Sequence, residues 1–172
     1  ALSRRRELWL LFTLAGIQFT HILDFMIMMP LGPQFTALFG ITDAQFGLLV
    51  SAYTLAAGAS GLVASTYIDR FGRKRLLLAL YSLFALATLA CGLAPGYGAL
   101  MIARIAAGVF GGVLSALCQT IVGDVIPFER RGRAMGIIMT SFSVSTVAGV
   151  PLGLFLAALP PTCVAIVAFQ LL

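Results

Sequence analysis

The sequence predicts an all-α integral membrane protein, and three observations carry the prediction. The chain is 60% hydrophobic with a mean hydropathy of +1.05, where soluble domains sit near 45–50% apolar. Its apolar residues form runs long enough to cross a hydrocarbon core of about 30 Å. Its cations gather between alternate runs. A soluble domain of 172 residues has no interior large enough for this much apolar surface. In a soluble protein the net charge of +5 would suggest nucleic acid. Here the basic residues sit at the ends of runs, where they orient a membrane chain. The expected partner is the lipid bilayer, and no nucleic acid is expected.

The first span covers residues 8–30, after Arg4, Arg5 and Arg6. It is too long for the core of a cleavable signal peptide, and no small-residue cleavage site follows it. Residues 31–43 contain Gly32, Pro33 and Gly40 and connect to a second span over 44–68, with Thr42 or Asp43 as its N-cap. Ala57, Gly61 and Ser65 recur at every fourth position there, a stripe that lets another helix approach closely. The turn Asp69–Arg75 leads to a third span over 76–94, and Pro95-Gly96-Tyr97-Gly98 makes an uncharged turn. The fourth span, 99–122, holds Arg104 and the spaced pair Gly108 and Gly112. A second charged turn carries Asp124, Pro127 and Arg131, and the fifth span, 134–159, contains Gly149, Pro151 and Gly153 as bending and packing residues. Pro160-Pro161 turns the chain into residues 162–172, too short to cross a bilayer at 1.5 Å per residue, so the sixth span is truncated. Cys91, Cys118 and Cys163 all lie in apolar runs and read as small buried residues, not as a disulfide or metal set. No metal site is expected.

Charge placement tests this topology. Of 11 Lys and Arg, three precede the first span, four lie between the second and third, three lie between the fourth and fifth, and Arg104 alone is inside a span. All the loop cations fall on one side, which the positive-inside rule makes cytoplasmic. The expectation is a multi-pass protein of the cell (inner) membrane with a cytoplasmic N-terminus.

Asp24, His21 and Arg104 are the chemical content of the spans. Ionisable residues at membrane depth are costly, and they usually mark substrate paths or proton relays. Asp24 precedes Pro30 by six residues, roughly 9 Å along a helix. Arg104 lies at a similar depth on a span of opposite direction, so the two are expected to pair. His21 and Asp24 are neighbours on one helical face. With Gln18 they form a polar stripe suited to proton coupling and substrate contact. The competing reading leaves Asp24 satisfying neighbouring donors, His21 bonded to a backbone carbonyl and Arg104 a strut between helices. In the two charged turns, Asp69 and Asp124 each close a span beside arginines. A charge network of Asp69, Arg70, Gly72, Arg73, Lys74, Asp124 and Arg131 with a gating role is expected there, beyond a plain topology signal.

These residues also resemble a known family. Asp69-Arg70-Phe71-Gly72-Arg73-Lys74 is similar to the signature between spans two and three of major facilitator superfamily transporters, with Ser65 where glycine is usual and Tyr67 where leucine is common. Arg104 with Gly108 resembles the fourth-span signature. Asp124, Pro127, Arg131 and Gly132 resemble the loop after it, and Asp24, Pro30 and Pro33 the first-span pattern of exporters. Gly149-Val150-Pro151-Leu152-Gly153 resembles the fifth-span antiporter signature, with Val150 replacing a glycine. The resemblance is to the N-terminal half, closest in pattern to the twelve-span drug:proton antiporter (arabinose-efflux-like) group. It implies an inverted three-plus-three helix repeat and a substrate site near the midplane. It also implies a C-terminal half that this chain lacks, against which Asp69 and its arginines lock.

The functional expectation is a secondary active transporter exporting a small-molecule drug or metabolite by alternating access. It would be driven by the proton gradient with no cofactor. The alternatives are a facilitator that imports a sugar or other metabolite, and a non-transporting six-span membrane protein. An enzyme is not expected, because no catalytic pairing of side chains occurs.

Overall fold

Helix extends beyond the apolar runs and into the charged clusters. The computed structural model describes residues 4–157, with helices α1 (Arg4–Met28), α2 (Gly32–Phe39), α3 (Asp43–Tyr67), α4 (Arg73–Gly92), α5 (Tyr97–Val125), α6 (Phe128–Val144) and α7 (Val150–Ala157). The expected sixth span, the Pro160-Pro161 turn and Cys163 lie outside the described residues. Among the described residues, five helical stretches are long and apolar enough to cross a membrane: α1, α3 with its terminal turn, α4, α5, and α6 running on to Leu152.

Local sequence explains the boundaries. Thr42 is the N-cap of α3 in a reciprocal capping box. Its hydroxyl accepts from Gln45 N–H at 3.3 Å, and Gln45 Oε1 accepts from Thr42 N–H at 2.9 Å. The segment before it, expected as a plain connection, contains the two-turn helix α2. Pro33 sits in the first turn, where its missing N–H costs nothing. Gly40 closes the helix in the left-handed region (φ 61°), with its N–H on Thr36 O. The stack Phe35–Phe39 (centroids 6.1 Å apart) and Phe35–Phe46 (6.5 Å) gives this short helix its apolar support. At the other end of α3, a 3₁₀ turn over Ile68–Arg70 and extended Phe71 lead to Gly72, the N-cap of α4.

The fifth span is α-helical only in two pieces. Between α6 and α7, residues Ser145–Gly149 form a π-helical turn, in which Val150 N–H reaches back to Ser145 O. Pro151 follows directly. Its ring clashes with the carbonyl four residues back in an ordinary α-helix, and a wider turn relieves that contact.

Two close crossings build the bundle. In the first, α3 packs along α5 in the same direction. Ala57 and Gly61 meet Gly112, a Cβ on Gly108 would lie 2.5 Å from Tyr53 O, and a Cβ on Gly112 would strike the Ala57 backbone. Both small-residue stripes of the sequence therefore meet each other. Ser60 Oγ donates across this crossing to Val109 O at 3.0 Å. In the second, α1 packs along α6 and the π turn, again in parallel, from Glu7–Arg130 at one end to Leu23 against Gly149 further along. Exchanging α1 with α5 and α3 with α6 maps one crossing onto the other, as an inverted repeat requires. α4 packs outside α5. The shared core runs along α5, with Ala107, Leu114, Leu117, Cys118 and Val122 fully buried. Elsewhere large apolar side chains face outward: Leu55 is 73% exposed, Leu62 76%, Ile102 71% and Val147 76%. With lipid as the surrounding solvent this exposure is the stable arrangement.

Candidate functional site

The polar stripe of α1 turns into the bundle. Asp24 and Arg104, 80 positions apart in the chain, are joined by a salt bridge from Nη1 to Oδ2 at 3.0 Å. Both are buried, Asp24 to 4% and Arg104 to 2% exposure. The antiparallel run of α1 against α5 explains the meeting. Six residues earlier on α1, Gln18 Nε2 donates to Ser115 Oγ on α5 at 3.0 Å.

Tyr53 of α3 completes the setting of Arg104. The guanidinium carbon stands 4.4 Å from the centre of the Tyr53 ring, a cation–π contact that burial strengthens. His21 lies one turn below Asp24, 6.2 Å from the Tyr53 ring and 5.9 Å from Phe84 of α4. A Cβ on Gly111 would run into the His21 ring, so only glycine leaves the imidazole its seat on α5. The carbonyl bond considered for His21 is not formed: neither ring nitrogen has a hydrogen-bond partner among the described residues. Gln18 Oε1, Tyr53 Oη, Arg104 Nε and Arg104 Nη2 are also buried without such a partner. The cluster thus keeps hydrogen-bonding capacity toward a proton, water or a ligand.

Tyr53, Gly111 and Ser115 do not stand out in the sequence as site residues. Tyr53 carries a readable signal, because it extends the stripe of Ala57, Gly61 and Ser65 by one step of four. Gly111 and Ser115 carry none.

The second cluster lies at the basic end. Arg73 is its hub, bridging Asp69 Oδ1 at 2.6 Å and Asp124 Oδ2 at 2.8 Å, with a further bond from Nη1 to Ile68 O at 3.1 Å. It ties the end of α3, the start of α4 and the end of α5 together. Arg131, expected in this network, instead caps the end of α5. Its Nε donates to Ile126 O at 3.0 Å and its Nη2 to Gly123 O at 2.5 Å. The carbonyls at a helix C-terminus lack partners and attract a cation, which explains the choice. Arg70 lies over the Tyr67 ring, 5.3 Å from its centre. Gly72 is the hinge-like N-cap of α4, and Lys74 stands at the rim of an apolar groove of about 400 Å³ between α1, α4 and α5. That groove shares no lining residue with the Asp24 cluster. Among the helix-bending residues, Gly149 receives Leu23 of α1 and Pro151 follows the π turn, while Gly153 lies in α7.

Residues 14–169 match the family model described as Major Facilitator Superfamily. The chain belongs to the major facilitator superfamily. It is 35% identical over 140 residues to "Efflux pump dotC" of Dothistroma septosporum, covering 80% of this chain and 24% of that protein. It is 33% identical over 128 residues to the "Uncharacterized MFS-type transporter YhcA" of Bacillus subtilis, covering 74% of this chain and 24% of that protein. The fold matches the crystal structure of a bacterial homologue of the human lysosomal transporter Spinster in an inward-facing, unoccupied conformation. The TM-score is 0.78 at 21% identity, over 91% of this chain and 36% of that one. This major facilitator chain spans between 20% and 38% of the length of curated relatives it matches. Its five described spans fall in the transporter fold, and the family consists of membrane transporters.

Proposed function

We propose that this chain is the N-terminal part of a proton-coupled exporter of small molecules, with Asp24 as the proton carrier. One observation supports this above the others: a carboxylate and a guanidinium are paired at membrane depth inside a cluster with polar atoms to spare. Protonating Asp24 cancels one charge of the pair and loosens the tie between α1 and α5. Arg104, held over Tyr53, regains the carboxylate when the proton leaves. A proton and a cationic substrate group compete for this one carboxylate, which is the elementary requirement of exchange. His21 and Gln18 extend the polar face along α1 toward the basic end.

Alternating access by rocking of this half against a second half fits the inverted repeat. In that cycle the Asp69–Arg73–Asp124 bridge holds three helix ends as one body. The basic end faces the cytoplasm of the cell membrane, following the positive-inside rule, and the proton gradient is the sole energy source. The name of the relative dotC is in line with export.

Efflux from vesicles containing the full-length gene product tests the reading, with a lipophilic cation as substrate and an imposed pH gradient. Wild type is expected to move substrate with the gradient, and Asp24→Asn to lose the coupling. Equal transport by both proteins that does not respond to the pH gradient assigns Asp24 a structural role and moves the facilitator reading ahead.

A further inference from the structure

We propose that the cleft between the basic ends of α1 and α6 binds an anionic phospholipid, with the headgroup phosphate held by Arg4, Arg130 and Arg133. The two helices run in parallel, so their N-termini stand side by side, joined by Glu7 Oε2 and Arg130 Nη1 at 3.2 Å. The space between them is about 110 Å³. Its α1 wall is Arg4, Glu7, Leu8 and Leu11, and its α6 wall is Arg130, Arg133, Ala134 and Ile137. Each wall follows the i, i+3, i+4, i+7 spacing of a single helical face. Each also begins charged and becomes apolar one turn further in. The cleft therefore has a cationic mouth and an apolar floor.

Charge balance favours an anion in the mouth. Helix N-termini already carry partial positive charge. Arg4, Arg5 and Arg6 open α1, and Arg130, Arg131 and Arg133 open α6, with Glu7 and Glu129 the acids in these first turns. Glu7 and Arg130 offset each other, and Arg131 is engaged by the carbonyls of α5. Arg4 and Arg133, both exposed, supply the net positive charge of the cleft. Guanidinium forks match phosphate oxygens in pairs.

The apolar floor selects a lipid over a free anion, since inorganic phosphate has nothing to place against Leu8 and Ile137. Depth agrees. Trp9, the only tryptophan of the chain, is 67% exposed next to the cleft wall, and such residues mark the headgroup level of a bilayer. The site is separate from the Asp24 cluster and does not depend on the direction of transport.

Native mass spectrometry of the full-length gene product, purified with phosphatidylglycerol and phosphatidylcholine present, reads the retained lipid. Phosphatidylglycerol is expected to be retained in preference. R4Q/R133Q is expected to reduce that retention about twenty-five-fold, about five-fold for each arginine, while R5Q/R6Q, which removes the same charge outside the cleft, stays within about two-fold. Equal retention of both lipids in the wild type overturns the site. Equal losses in both variants also overturn it, leaving only a diffuse basic surface. Displacement of the lipid by millimolar inorganic phosphate would overturn the lipid assignment and make a free anion the ligand. Should R4Q/R133Q fail to reach the membrane, R4K/R133K keeps the charge and loses the fork. A clear drop in retention then supports the site, and unchanged retention overturns it.

Discussion

Arg104 has more to lose than any other side chain here. It is 2% exposed and, among the described residues, makes one salt-bridge contact, with Asp24. Replacing it with leucine leaves the Asp24 carboxylate buried beside an apolar group, a change that costs about 3–5 kcal/mol in buried pairs. R104L is therefore expected to lower the melting temperature in detergent strongly, and D24L/R104L, which removes both charges, to recover part of the loss. A double variant no more stable than R104L would show that the stranded carboxylate is not what destabilises the single variant. Tyr53 contributes its ring face more than its hydroxyl, which lacks a partner among the described residues. Y53F is expected to retain vesicle transport, and Y53L to weaken it by the equivalent of about 0.5–2 kcal/mol, the range of a cation–π contact.

At the scale of elements, the α3–α5 crossing depends on the absence of side chains. A Cβ at Gly112 would overlap the Ala57 backbone, which cannot swing aside as a side chain can. Gly112→Val is expected to cost about 1–3 kcal/mol by overpacking, read as a lower melting temperature. Gly111→Ala meets the His21 ring instead, so its expected effect falls on transport more than on melting. The π turn makes a separate prediction. Pro151→Ala restores a backbone donor and removes the ring clash that favours the wide turn. Hydrogen exchange over residues 145–150 is expected to slow as ordinary α-helical bonding returns.

The whole molecule has a basic end and an end without loop cations, and both the charge network and orientation belong to that scale. Arg73, half-buried, holds three helix ends through the exposed carboxylates of Asp69 and Asp124, and ion pairs to exposed partners add little stability. Arg73→Gln is expected to leave the melting temperature almost unchanged while transport falls, because the bridge matters to a moving body more than to a static one. Orientation is checked by labelling single cysteines introduced into a background without Cys91, Cys118 and Cys163. Gly96→Cys is expected to react with an impermeant thiol reagent on intact cells. Gly72→Cys is expected to react only after the membrane is opened. The reverse pattern would invert the topology argued from the cations.

The sequence by itself determined the all-helical membrane class, the order of the spans, the small-residue stripes and the asymmetry of charge. These follow from local rules: apolar length against bilayer thickness, helical spacing, and the cost of charge in lipid. It also placed Asp24 and Arg104 at matching depth, because depth is a count of residues along a helix. Only the tertiary structure decided rotation and partner choice. Whether Asp24 faces Arg104 depends on how α1 and α5 are turned, and that is set by packing along their whole length. Tyr53 joined the site because the Gly108–Gly112 surface draws α3 onto α5. Arg131 left the expected network because the end of α5 offered it bare carbonyls nearby. Helix α2 and the π turn lay between: Pro33, Gly40 and Pro151 marked the places, but what each proline did there was settled by its neighbours in space.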